Sequence, residues 1–129
     1  MHLKGIKETV IYVHDLERTK QFYQETLGLR LYGEKAGEHI FFKVGEDMLL
    51  FFNPEHSKAK THIPPHFAEG NQHFALTVSA EDYESWKNKV SALIEIEHEK
   101  DWGSGVKSFY FRDPEQNSVE IVTEGMWDD

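Results

Sequence analysis

Three ionisable side chains stand where they are costly. Glu8, His73 and Glu120 lie at the head of, or inside, short β-branched apolar segments: residues 8–13, 73–78 and 118–123. Side chains on a strand alternate between its two faces. In the first segment Thr9, Ile11 and Val13 share one face and Glu8, Val10 and Tyr12 the other. In the second, Phe74, Leu76 and Val78 oppose His73, Ala75 and Thr77. In the third, Val119 and Ile121 oppose Ser118, Glu120 and Val122. All three ionisable groups therefore turn away from the face expected to pack on a helix. If that second face is buried, each needs a partner or a metal ion. Taken singly, Glu8 reads as an exposed strand residue, His73 as a hydrogen-bonded structural histidine and Glu120 as a solvent-facing edge residue. Their joint placement sets them apart.

The elements that carry them form one pattern used twice. Residues 8–13 read as a strand. Asp15 is a natural N-cap with Glu17 in the first turn, and Leu16, Phe22, Tyr23 and Leu27 recur at helical spacing up to Gly28, a natural stop. Three apolar stretches follow at 29–32, 39–44 and 48–52, separated by Gly33, Gly37 and Gly45-Glu46-Asp47. Residues 53–71 contain Pro54, Pro64, Pro65 and Gly70 and have no apolar period. They read as a linker, with His56, His62 and His66 expected in solvent. His2, His14, His39 and His98 show no convergent partners.

The order then repeats. A strand is expected at 73–78, a capping box at Ser79 and Asp82, and a helix with Tyr83, Trp86, Val90 and Leu93 on one face. Strands are expected at 94–98, 106–112 and 118–123. In the turn Asp113-Pro114-Glu115-Gln116-Asn117, Asn117 is expected to take the left-handed conformation. Trp102-Gly103-Ser104-Gly105 reads as a flexible turn over a cavity mouth, with Trp102 either a core or dimer contact or a substrate stacker. Asp128 and Asp129 read as a frayed tail.

Composition narrows the chemistry. A chain of 129 residues is one domain's worth. Its net charge of −9 argues against nucleic acid and anionic membrane as partners. A hydrophobic share of 39%, with 13% aromatic, is too rich for a disordered chain. No apolar run approaches a membrane span or the core of a signal peptide. With no cysteine, disulfides, thiolate nucleophiles and Cys-type zinc sites are excluded, so any metal must be held by histidine and carboxylate. A cytoplasmic location is expected.

Glu8-Thr9-Val10-Ile11-Tyr12-Val13-His14-Asp15-Leu16, with Phe22-Tyr23 and Leu27-Gly28-Leu29, resembles the opening of the vicinal oxygen chelate superfamily, the glyoxalase/bleomycin resistance/dioxygenase family. Gly70-Asn71-Gln72-His73-Phe74-Ala75, Phe109-Tyr110-Phe111-Arg112-Asp113-Pro114 and Asn117-Ser118-Val119-Glu120 resemble its second module. The likeness spans nearly the whole chain and is more specific for the fold than for the reaction. It implies an α+β fold: two βαβββ modules in one chain, forming a curved, cavity-enclosing mixed sheet with flanking helices. Residues 1–129 are then a single domain, with module one at about 5–53, a linker at about 54–70 and module two at about 71–124.

The resemblance also implies a metal held by Glu8, His73 and Glu120, the same three positions that strand parity selects. A fourth ligand, which glyoxalase I takes from the end of its first module, has no ligand-type counterpart in Met48-Leu49-Leu50-Phe51-Phe52. One imidazole and two carboxylates suit a divalent ion such as Mn, Fe, Co, Ni or Zn, and three protein ligands leave room for substrate. Glu120, and after it Glu8, is the expected general base. Lys100, Ser108 and Tyr110 fall where fosfomycin-resistance thiol transferases hold the phosphonate, and Val10 falls on their substrate-binding threonine. Trp102 is counted with this substrate-binding group.

The leading expectation is a glyoxalase-like metal-dependent enzyme acting on a small substrate with vicinal oxygens, by proton transfer, isomerisation or nucleophilic addition. The alternative is a metal-free drug-binding protein of the bleomycin-resistance type. A fosfomycin-resistance-like thiol transferase and an extradiol dioxygenase rank lower, the latter because Glu8 replaces a histidine of its iron triad. The superfamily further implies a homodimer.

Overall fold

A computed structural model of the chain describes residues 1–128; Asp129, half of the expected tail, lies outside the described residues. The chain divides into two compact units, Met1–Gly70 and Asn71–Asp129.

The first unit runs β1 (Glu8–Tyr12), α1 (Leu16–Leu27), β2 (Arg30–Lys35), β3 (His39–Val44), β4 (Asp47–Phe52) and α2 (Pro54–Ser57). Its sheet has the order β1-β4-β3-β2, with β1 parallel to β4 and the other pairs antiparallel. Helix α1 starts where the Asp15 carboxylate accepts the Arg18 N–H at 3.0 Å and stops at Gly28, whose φ of 66° glycine adopts without a Cβ penalty. Leu16, Thr19, Tyr23, Thr26 and Leu27 form its buried stripe. Tyr23 packs on Phe51 at 4.7 Å between ring centroids and on Phe42 at 6.1 Å. Each fully buried side chain such as Phe42 or Phe51 contributes roughly 2 kcal/mol.

The second unit runs β5 (His73–Val78), α3 (Tyr83–Ser91), β6 (His98–Gly103), β7 (Val106–Arg112) and β8 (Ser118–Thr123). Its sheet order, β5-β8-β7-β6 with β5 parallel to β8, repeats that of the first unit. Two four-stranded mixed sheets with flanking helices are the βαβββ modules expected from the residues. No helix among the described residues is long and apolar enough to cross a membrane.

Four local expectations are corrected. The apolar residues after α3 do not start a strand, because the Leu93 and Ile94 amides close the helix on the Val90 carbonyl. Strand β6 starts instead at His98, and as an exposed edge strand it carries no apolar period to read. Trp102 and Gly103 therefore lie in a strand, and the turn narrows to Ser104 and Gly105, with φ of 54° and 80°. In the turn before β8, Gln116 takes the left-handed conformation, with φ of 68°. Asn117 is unavailable for it: its amide N–H and side-chain NH₂ donate to Asp113 at 2.9 and 3.1 Å, and its side-chain oxygen accepts from the Gln72 N–H at 2.9 Å. The capping box is half made, since Ser79 Oγ accepts the Asp82 N–H at 3.2 Å but Asp82 makes no side-chain cap.

The linker folds onto its own unit. Asn53 caps α2 through the Glu55 N–H at 2.9 Å. His66 Nδ1 lies 2.7 Å from the Tyr12 hydroxyl, and its ring stands edge-on to Phe52. His56 pairs with Glu38, so of the three linker histidines only His62 is fully exposed.

Candidate functional site

The face of the second sheet that turns away from α3 builds a site row by row. Strand pairing sets His98, Tyr110, Glu120 and Ala75 in one line across it, and Lys100, Ser108, Val122 and Thr77 in the next. His73 lies beside Ser118 in the row before. The parity expected of the second-unit segments is therefore the one observed. An open cavity of about 720 Å³ sits on this face, lined by His73, Trp102, Tyr110, Glu120 and Trp127 among others.

Glu120 is buried on the central strand, only 7% exposed, while His73 is on the edge strand and half exposed. Their side chains meet: His73 Nε2 lies 3.3 Å from Glu120 Oε1. The other imidazole nitrogen, Nδ1, is 3.0 Å from the Ser118 carbonyl oxygen. A carbonyl only accepts, so Nδ1 carries the hydrogen of the neutral ring, and Nε2 turns a lone pair toward the carboxylate. In that neutral form two lone-pair donors face each other, the arrangement a cation bridges, whereas a protonated ring bonds the carboxylate directly. The backbone contact at Nδ1 is also what orients a histidine as a metal ligand.

A hydrogen-bonded chain flanks the pair. The Trp102 indole N–H donates to Ser108 Oγ at 2.9 Å, and the fully buried Ser108 hydroxyl donates to the Tyr110 hydroxyl oxygen at 3.4 Å. With its oxygen so engaged, the Tyr110 hydroxyl hydrogen is free to point into the cavity. The Tyr110 ring lies 6.2 Å from that of His73, at 30°. At the margin, Arg112 grips Glu97 with two bonds of 2.7 and 3.0 Å and holds its carboxyl below the usual carboxylate range. On the helix side, Lys87 and then the Tyr83 hydroxyl do the same for Glu99.

His73, Glu120, Tyr110, Ser108 and Trp102 thus come together. Lys100 is opposite Ser108 on β6, but its ammonium lies 5.6 Å over the Trp102 ring and it is not among the residues lining the cavity. Glu8 and Val10 belong to the first unit. Glu8 is exposed at the start of β1 opposite Met48, and Val10 is half-buried opposite Leu50. Among the described residues, no three histidine or acidic side chains stand close enough together to hold a metal ion.

One part of the wall escaped the sequence reading. Gly125, Met126, Trp127 and Asp128 line the cavity, closed into a turn by the Asp128 N–H on the Gly125 carbonyl at 3.1 Å. The signal available was Trp127, a large aromatic two residues after Gly125, whose ring nevertheless stays 90% exposed.

Known proteins share this fold. A solved structure of lactoylglutathione lyase from Agrobacterium tumefaciens superposes with a TM-score of 0.92 at 36% identity, covering 98% of each chain. The glutathione transferase FosA of Serratia marcescens is 25% identical over 92% of this chain and 80% of its own length. The metallothiol transferase FosB of Staphylococcus haemolyticus is 26% identical over 98% of this chain and 88% of its own. The glyoxalase-like domain family matches residues 6–126, and the chain belongs to it.

Proposed function

We propose that this protein is a metal-dependent enzyme acting on a small substrate with vicinal oxygens, by proton transfer or by nucleophilic addition. The observation that carries the reading is the His73–Glu120 pair, 3.3 Å apart on a cavity floor, with the imidazole fixed by the Ser118 carbonyl. In this reading His73 Nε2 and Glu120 are ligands, and Glu8, exposed at the start of β1, is the residue to test as a third. A divalent metal bound there supplies Lewis-acid stabilisation of a developing oxyanion.

The chain's own residues account for the rest. Glu120 is the general base: its second carboxylate oxygen takes a proton from the substrate carbon, or from an attacking thiol, and returns it. Burial limits water around it, which strengthens each polar contact it makes. The Tyr110 hydroxyl, oriented by Ser108 and Trp102, donates to a substrate oxygen. The exposed Trp102 and Trp127 rings line the cavity and offer apolar surface to a substrate. Lys100, opposite Ser108 on β6 but outside the cavity lining, adds positive charge beside the site. The named relatives share thiol chemistry, which supports a glutathione-type thiol or its adduct as the first substrate to test.

The test is metal content by mass spectrometry of the purified protein and of Glu8→Ala, His73→Ala and Glu120→Ala, followed by assays for lactoylglutathione and for glutathione consumption. The expected result is near-stoichiometric divalent metal in the parent, lost from each variant together with turnover. Unchanged metal binding in Glu120→Ala and His73→Ala overturns the reading. Tight uptake of a drug-like ligand by a metal-free parent without turnover favours a binding protein instead.

A further inference from the structure

The first unit has a cavity of its own, about 400 Å³, between the β2–β3 hairpin and the linker. Lys35 and Glu38 come from the hairpin, His39 from β3, His56 from α2, and Lys60 and His62 from the chain beyond it. The one carboxylate here is already paired, with the Lys35 ammonium at 2.9 Å and His56 Nε2 at 2.9 Å. The cations are in excess. Lys60 lies 5.2 Å over the Phe52 ring and has no carboxylate partner among the described residues.

The histidines are set as donors. Because a carboxylate only accepts, the neutral His56 ring carries its hydrogen on Nε2 and leaves its buried Nδ1 bare. The His39 ring lies flat on Phe41, at 4.1 Å and 5°, with its Nδ1 also buried and unpartnered. A hydrogen on that nitrogen would be a buried donor with nothing to meet, which is costly. The neutral ring therefore carries it on Nε2, the nitrogen left to serve the cavity. Burial first, and the Lys60 ammonium second, hold the His39 imidazole below its ordinary pKa against the opposing pull of Glu38. In a chain with a net charge of −9, an unpaired ammonium beside an unpartnered imidazole N–H is an arrangement that lacks its anion.

We propose that this cavity binds an anionic group, a carboxylate or a phosphate carried by a small molecule, on Lys60 and His39 Nε2, with Lys35 beside them. It uses no residue of the second unit and none of the proposed metal ligands, so it stands or falls apart from the reading above.

The experiment follows the histidine side-chain nitrogens of the full chain by NMR during titration with inorganic phosphate and, separately, with propionate, against sodium chloride at equal ionic strength. Saturable movement of the His39 resonances is expected with at least one of the two anions, weakened tenfold or more in Lys60→Gln, a substitution at a half-buried position whose folding the amide spectrum checks. Saturation by phosphate alone assigns a phosphate-bearing ligand, and saturation by propionate alone a carboxylate. Movement that tracks only ionic strength, or that is unchanged in Lys60→Gln, overturns the proposal.

Discussion

The two units have the same strand order and the same register, yet they put different chemistry on matching positions. Glu8 corresponds to His73, Leu50 to Glu120, Phe41 to Tyr110, His39 to Ser108 and Lys35 to Lys100, as the pairings across each sheet require. The central strand of the second unit carries a buried carboxylate answered by an imidazole. The same place in the first unit is a leucine, 7% exposed, beside aromatic rings. The helix faces are conservative by contrast: both sheets bury a tyrosine from the helix against their phenylalanines. A repeated fold therefore constrains the packed face, where close packing penalises change, and leaves the opposite face to take whatever ligand each unit serves.

Transplanting the carboxylate tests this most severely. Leu50→Glu gives the first unit a buried charge with Glu8, not a histidine, at the partner position, and should cost about 3 kcal/mol or more. Urea unfolding measures it, and a variant as stable as the parent would break the correspondence. The turns differ next. Asn117→Ala removes the buried clamp of the second unit and should cost about 2 kcal/mol. Gly45→Ala, at φ of 58° in the matching turn of the first unit, should cost about 1 kcal/mol, because that position needs a left-handed backbone.

The pair His39 and Ser108 separates the units by pH. The folded pKa of His39 lies below the ordinary 6.5, so the unfolded chain binds its proton first. Stability from this group is complete above pH 6.5 and is lost as pH falls through the folded value. His39→Phe should flatten the acid limb of thermal unfolding, whereas Ser108→Ala should leave its slope unchanged. The smallest effect concerns what the units share. Lys20 bridges Glu17 to Glu34, and Lys87 bridges Glu84 to Glu99, each from helix to edge strand. Alanine at either position should shift the melting temperature slightly, by similar amounts, and the shift should vanish in high salt.

Much of this was legible in the residues. The Asp15 and Gly28 caps, the β5 and β8 parity and the shared face of His73 and Glu120 all follow from rules acting between near neighbours. Strand β6 was illegible because an edge strand exposed on both faces has no period, while the apolar Leu93 and Ile94 beside it imitated one. The left-handed Gln116 was hidden because the demand on Asn117 comes from Gln72, far away in the chain.

Local order is therefore set by steric and capping preferences that each short segment carries with it, and these specify two βαβββ modules and the faces on which their ionisable groups stand. The 3.3 Å separation of His73 and Glu120, the Trp102–Ser108–Tyr110 chain, the wall built by Trp127 and the histidine-lined cavity of the first unit come from another source. They depend on strand register and on where the linker and C-terminal segment fold back. Those outcomes are settled by packing between residues remote in sequence, which no local pattern encodes.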